Sequence, residues 1–175
     1  PPHRQSLLLT MADIYGKGPK GKATRLHALI TRSLGFCESC GSGHQLQCAH
    51  IISRKYSNTR TSLDNAFCLC ASCHRIFTDN PVDFGQFVTD TIGAERYGEL
   101  VTRRNLISKV DWDVEAARLT EIAREKDAAA EEVRKEFAAL AIAAAERIVE
   151  GSLDAKAHST LIDRVLEEGL SERKN

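Results

Sequence analysis

Six cysteines crowd into one stretch of the chain, at positions 37, 40, 48, 68, 70 and 73. Four of them make two Cys-x-x-Cys pairs, Cys37/Cys40 and Cys70/Cys73. Each pair can offer two thiolates to one ion, and two pairs complete the closed tetrahedral site in which zinc holds small folds together. Four soft ligands favour structural zinc, with a redox or iron–sulfur role as the alternative that the same spacing permits. An extracellular disulfide framework usually sits in a shorter chain behind a signal peptide. Here the N-terminal apolar run is only Leu7-Leu8-Leu9, too short for a signal-peptide core. No apolar run approaches the roughly 20 residues of a membrane span. The expectation is a cytoplasmic chain without a membrane partner.

Around the cysteines the sequence reads as strand, loop, strand, helix. Leu46 to Ile52 is expected as a strand, Ser53 to Ser62 as a polar basic loop, Ala66 to Leu69 as a second strand and Ala71 to Phe77 as a short helix. Upstream, residues 1–21 carry Gly16-Lys17-Gly18-Pro19-Lys20-Gly21 and read as a basic flexible segment. A helix from Ala23 to Leu34 follows, with Leu26, Leu29, Ile30 and Leu34 at helical spacing. Downstream, Asn80-Pro81 is a helix entry. Phe84, Phe87, Val88 and Ile92 form an apolar face that Gly93 closes, and a further helix runs from about Ala94 to Ser108. Residues 22–110 thus read as one domain with its core at 37–80.

From Asp111 to Glu150 there is neither Gly nor Pro, and Ala, Glu, Arg and Lys dominate, all strong helix formers. Leu119, Ile122, Val133, Phe137, Leu140 and Ile148 step by helical intervals, interrupted at Lys126. Gly151-Ser152 breaks the pattern, and Leu153 to Val165 continue it. Residues 111–175 are therefore expected as a helical hairpin or coiled coil, either a solvated arm or a surface for a second copy or a protein partner over 111–168. Charge divides along the same lines. The formal net charge is zero, yet residues 1–35 hold six basic residues against Asp13, while residues 111–175 hold ten basic against sixteen acidic. A basic N-terminal part suits a polyanion, whatever the sum for the chain.

The chemistry concentrates in Cys48-Ala49-His50 and in Asp64-Asn65-Ala66-Phe67-Cys68-Leu69-Cys70-Ala71-Ser72-Cys73-His74. On a strand, Cys48 and His50 share a face while Ala49 looks the other way. On a helix, Cys70 and Cys73 can share a face, whereas His74 lies about 100° further round and serves something else. Two histidines beside an amide suit metal-assisted phosphodiester hydrolysis, in which a neutral imidazole takes a proton from water and a cation stabilises the charge on phosphate. Arg54, Lys55 and Arg60 in the loop, with Arg75 beside His74, can hold flanking phosphates, or the loop is simply solvated. Cys48 and Cys68 read as small core residues. His44 sits in a Gly-rich turn, and His27 and His158 are given no role.

This order of paired cysteines, strand histidine, middle asparagine and Leu-Cys-x-x-Cys-His resembles the HNH endonucleases, particularly phage- and prophage-borne members. The resemblance covers residues 37 to about 80. It implies an α+β fold: a zinc-held ββα-metal core with surrounding short helices and a long helical extension. It implies cleavage of DNA in a bacterial or phage-infected cell, with His50 as general base and Asn65 orienting the active-site loop or touching metal. His74 would be a ligand of a catalytic Mg²⁺ or Mn²⁺, and Cys37, Cys40, Cys70 and Cys73 would hold structural Zn²⁺. Many members carry Asp or His just before the base, as a further metal ligand. This chain has Ala49, which leaves the ion on His74 with Asn65, Asp64 or His44, water and substrate oxygens. The competing expectations are an inactive zinc module that binds nucleic acid and an assembly adaptor built on the helical arm.

Overall fold

A computed structural model describes residues 15–152 and Arg164. Its elements, in chain order, are α1 (Gly18–Arg32), β1 (Leu46–His50), a 3₁₀ turn (Leu63–Asn65), β2 (Ala66–Cys70), α2 (Ala71–Asp79), α3 (Pro81–Arg104) and α4 (Trp112–Ser152). Helices and one two-stranded sheet make a mixed α+β architecture. No helix among the described residues is long and apolar enough to cross a membrane.

The sheet is antiparallel, with Leu46 opposite Cys70, Cys48 opposite Cys68 and His50 opposite Ala66. The two-residue period of a strand sends Ala49 and Phe67 to one face and Cys48 and His50 to the other. The first face carries the main core, in which Ala49, Phe67, Leu69 and Val88 are buried. Phe77 of α2 stacks on Phe87 of α3 with ring centroids 4.9 Å apart. Phe67 meets Phe87 at 5.0 Å, edge to face. Two strands expose too little apolar surface to stand alone, so the aromatic face of α3 supplies the missing layer, as the spacing of Phe84, Phe87, Val88 and Ile92 anticipates. At Gly93 the backbone leaves the helical region, with φ 80° and ψ 157°. A side chain is strained at that φ, which is why the break expected there falls on glycine.

The segment before β1 completes the sheet. Cys68 is fully buried, and both of its outward backbone groups are bound by Glu38. The Glu38 backbone N–H donates to Cys68 O at 2.8 Å, and Cys68 N–H donates to Glu38 Oε2 at 2.6 Å. A free strand edge is thereby closed by one residue.

Helix α1 begins at Gly18, earlier than the expected Ala23, because Pro19 fits the first turn, where its missing N–H costs nothing. Gly21 lies against the incoming chain, and a Cβ there would stand 2.0 Å from the Gly16 carbonyl oxygen. Residues 18–21 are thus helical rather than a flexible segment, while residues 1–14 fall outside the described part. On the other side, Ala23, Leu26 and Ile30 pack against Trp112, Ala116, Leu119 and Ile122. The start of α4 is capped by Asp111, whose Oδ1 accepts from the N–H groups of Asp113 at 3.0 Å and Val114 at 3.2 Å.

The chain divides into two compact units, Pro1–Lys126 and Asp127–Asn175. This division falls inside α4, near the interruption at Lys126, and the first turns of α4 bury Ala116 and Leu119 within the first unit. In the second unit, the described side chains up to Val149 are exposed. Ion pairs three residues apart, such as Arg134 with Glu131 at 3.2 Å, support this length of helix by about 0.3–0.5 kcal/mol each. The second helix expected from Leu153 to Val165 lies outside the described residues, apart from Arg164.

Candidate active site and metal centre

The four paired cysteines come together. The sulfurs of Cys37, Cys40, Cys70 and Cys73 all lie within 4.8 Å of one another, and Cys40 and Cys70 are 3.7 Å apart. Zinc–sulfur bonds of about 2.3 Å require sulfurs about 3.8 Å apart around a tetrahedral ion, so the cluster fits zinc. Local structure explains the convergence. The Gly41 N–H closes a turn onto Cys37 O at 2.8 Å. Cys70 ends β2 and caps α2, its sulfur accepting from the Cys73 N–H at 3.5 Å. Burial pushes the Cys37 thiol up, but backbone N–H donors from Cys70, Cys40 and Ser39 overcome this and bring it to about 7. Burial and the neighbouring thiols push Cys73 to about 12. Four thiols this close cannot all ionise without a cation between them.

His50 ends β1, and its Nε2 lies 2.9 Å from the Arg60 carbonyl oxygen. A carbonyl only accepts, so Nε2 carries the hydrogen and Nδ1 holds the lone pair. Burial, with smaller contributions from His27, Arg54 and Arg60, lowers the His50 pKa to about 4. The ring is therefore neutral at pH 7.

Asn65 builds the loop that presents that carbonyl. It is fully buried; its Oδ1 accepts from the Ile52 N–H at 2.8 Å. Its Nδ2 donates to Ile52 O at 3.0 Å and to Thr59 O at 2.8 Å. The side-chain amide thus ties together both ends of the connection between β1 and β2.

His74, on the first turns of α2, faces β1. Its Nδ1 lies 2.6 Å from Gln47 Oε1, which leaves Nε2 with the lone pair. Burial and, secondarily, Arg54 lower its pKa. His50 and His74 line one open cavity of about 690 Å³, together with Tyr15, Arg32, Gln47, Cys48 and Arg54. Arg32 donates to the Tyr15 hydroxyl at 3.3 Å.

Of the expected phosphate contacts, Arg54 is on this cavity. Lys55 lines a separate one with Tyr56 and Arg104. Arg60 turns its Nε to the Arg54 carbonyl at 2.7 Å, and Arg75 is exposed on α2. Of the further ligands that Ala49 left open, Asp64 pairs with Arg103 at another cavity, His44 is exposed in its turn, and Asn65 spends its amide on backbone. Cavity residues that sequence reasoning passed over are Gln47, Arg32, Tyr15 and Cys48. Gln47 stands two residues before Ala49, on the strand face opposite Cys48 and His50, so strand alternation gives no signal for it and only the packing of α2 brings it to His74.

Among the described residues, no carboxylate lines this cavity. Mg²⁺ favours carboxylate oxygens and water, so an imidazole and an amide oxygen fit a borderline ion such as Mn²⁺ better.

No solved structure matches the chain. Curated relatives match only its C-terminal helix. They include ATP synthase subunit b of Dehalococcoides mccartyi, 52% identical over 56 residues, which are 32% of this chain and 33% of that protein. Another is ATP synthase subunit b of Colwellia psychrerythraea, 54% identical over 48 residues, 27% of this chain and 31% of that one. The chain spans about a third of the length of these relatives. The match that bears on the site lies elsewhere: the HNH endonuclease family model matches residues 37–81, the segment that carries both cysteine pairs, His50, Asn65 and His74.

Proposed function

We propose that the chain is an HNH endonuclease of the ββα-metal type, hydrolysing DNA phosphodiester bonds at the cavity shared by His50 and His74. The observation that carries this reading is that one cavity receives both histidines and Arg54, with His50 fixed by the Arg60 carbonyl in the tautomer whose Nδ1 is basic.

In this reading His50 Nδ1 takes a proton from a water molecule as the water oxygen attacks phosphorus. The P–O3′ bond breaks, and the 3′ oxygen leaves to be protonated by solvent. Arg54 and Arg32 hold the non-bridging oxygens of the phosphate or of its neighbour. Asn65 is a positioning residue that keeps the Arg60 carbonyl in place. His74, steadied by Gln47, would hold a divalent ion of the Mn²⁺ or Mg²⁺ kind through Nε2. Such an ion supplies charge stabilisation at the phosphate. Cys37, Cys40, Cys70 and Cys73 hold a structural zinc that fixes α2 against the strands.

The test is nicking of supercoiled plasmid with and without Mn²⁺ or Mg²⁺, beside His50→Ala and His74→Ala. Metal-dependent nicking that both variants lose, with the four-cysteine zinc retained, supports the reading. Absence of cleavage under every metal, with zinc and DNA binding intact, overturns it in favour of an inactive nucleic-acid-binding module.

We also propose that the arm beyond Lys126 associates with a second copy of the chain. The supporting observation is an apolar stripe on α4 in which Phe137 is 73% exposed and Leu140 67%. Since one site cuts one strand, pairing would give the enzyme a second.

A further inference from the structure

Beside His50 stand two side chains, His27 and Cys48, that phosphodiester hydrolysis does not need. His27 of α1 is fully buried, and its Nε2 lies 2.9 Å from the Ser62 carbonyl oxygen. By the argument used for His50, Nε2 carries the hydrogen and the His27 Nδ1 lone pair is free to bind. That Nδ1 is 3.7 Å from Cys48 Sγ, and His50 Nδ1 is 3.9 Å from the same sulfur. Cys48 Sγ also lies 3.7 Å from Thr31 Oγ1. One thiol hydrogen serves one acceptor at a time, so at least one imidazole lone pair faces sulfur without a proton between them. A buried arrangement of acceptors around one point is unfavourable until something electropositive enters.

From this geometry we infer that His27, Cys48 and His50 form a second metal site, of the two-imidazole, one-thiolate class, which takes a soft or borderline transition ion such as Zn²⁺. The three donor atoms lie within 4.8 Å of one another. Zinc bonds of about 2.0–2.1 Å to nitrogen and 2.3 Å to sulfur need nitrogen–sulfur separations near 3.5 Å, a few tenths of an ångström inside the present ones. The outer layer of the site is already built. Metal-bound histidines almost always donate their other N–H to a carbonyl or carboxylate, and here the Arg60 and Ser62 carbonyls, two residues apart in one loop, serve the two rings. The donor set is too soft for Mg²⁺. Cys48 and His50 line the cavity, so a fourth position opens onto solvent or an incoming ligand, as in zinc sites with three protein ligands.

The site draws on the same Nδ1 that the nuclease reading gives to water activation. Resting on that reading, the consequence is regulatory: a filled second site takes the base out of service, and zinc inhibits cleavage while filling a place distinct from the four-cysteine cluster. Binding of the ion displaces the thiol proton to solvent, and no oxidant or reductant is involved.

The experiment uses the full chain, stripped of weakly held metal and titrated with Zn²⁺ and, separately, with Co²⁺. Two zinc equivalents per chain are expected for the wild type, and one for Cys48→Ser and for His27→Gln. Circular dichroism confirms that the variants fold. The Co²⁺-loaded wild type should show thiolate charge-transfer absorption in two binding phases, the second absent from Cys48→Ser, a readout that needs no activity. Plasmid nicking with Mn²⁺ should fall at least tenfold as the second zinc equivalent is added, and Cys48→Ser should resist that inhibition. A single zinc equivalent and a single Co²⁺ phase in a wild type that cleaves DNA overturn the inference and leave the nuclease standing. Two equivalents in a chain that never cleaves DNA support the site and overturn the nuclease reading.

Discussion

Asn65 and His50 are joined through two successive carbonyls of one loop. The Asn65 side-chain amide donates to Thr59 O at 2.8 Å, and the next carbonyl, that of Arg60, lies 2.9 Å from His50 Nε2. The asparagine thus sets the tautomer of the histidine without touching it. Replacing Asn65 by Ala leaves the Ile52 N–H and the Ile52 and Thr59 carbonyls without these partners. About 1–3 kcal/mol is expected for each buried group left unsatisfied, so with three such groups a loss of at least about 3 kcal/mol is expected in urea unfolding. Asn65→Asp should be worse than Ala, since a carboxylate has no donor for either carbonyl. Nicking should fall with both, and an Asn65→Ala protein as stable as wild type would contradict the positioning role.

The neutrality of His50 makes a prediction about pH. Burial is the leading cause of its low pKa, followed by the nearby positive groups. An ordinary histidine, with pKa near 6.5, keeps only about a quarter of its rings neutral at pH 6. With its pKa at about 4, His50 stays almost wholly in the base form there. Protonation removes the base, so the rate would be lost as pH falls through the folded pKa, well below neutrality. The nicking rate should therefore change little between pH 8 and pH 6 on this group's account. A fourfold fall centred near pH 6.5 would show that His50 titrates as an exposed imidazole.

The cysteines divide into two classes that mutation should separate. Cys70 belongs to the four-thiol cluster and also caps α2. Cys70→Ser should abolish zinc retention at that cluster and collapse the cooperative unfolding of the strands and α2, because binding energy at such sites is folding energy. Cys68 is as buried but lies outside both groups of candidate ligands. Cys68→Ser should keep the metal and lose only about 1–2 kcal/mol from placing a hydroxyl in an apolar setting. Zinc content by atomic absorption, read beside thermal melts, distinguishes the two.

Much of this is written in local pattern. Paired cysteines at fixed spacing, two-residue alternation around Ala49 and the Phe84–Ile92 face are all short-range signals, and each led to its element. What the sequence concealed depends on contacts across the chain. His27 sits on an amphipathic helix like any core residue until α1 is laid against β1, 21 positions on from His27 at Cys48. Thr61 gives no hint that its hydroxyl donates to Glu115 of α4 at 2.7 Å, a contact that draws the start of the long helix into the first unit. Arg32 and Tyr15 reach the cavity only through the placement of α1. Pattern reading finds the residues that make elements, and packing decides which of them meet.

Two phenylalanines give the sharpest contrast between core and arm. Phe67 is buried between Phe84 and Phe87, and Phe67→Ala should cost about 3–5 kcal/mol, the usual cost of removing a packed ring. Phe137 is exposed on α4, where truncation should leave the unfolding of the first unit within about 0.5 kcal/mol of wild type. If the arm joins two copies, Phe137→Glu together with Leu140→Glu should convert a dimer to a monomer in sedimentation velocity. The melting of the strands and α2 should stay unchanged. A chain that sediments as a monomer before any substitution would assign the stripe to another partner and remove the second copy from the account of cleavage.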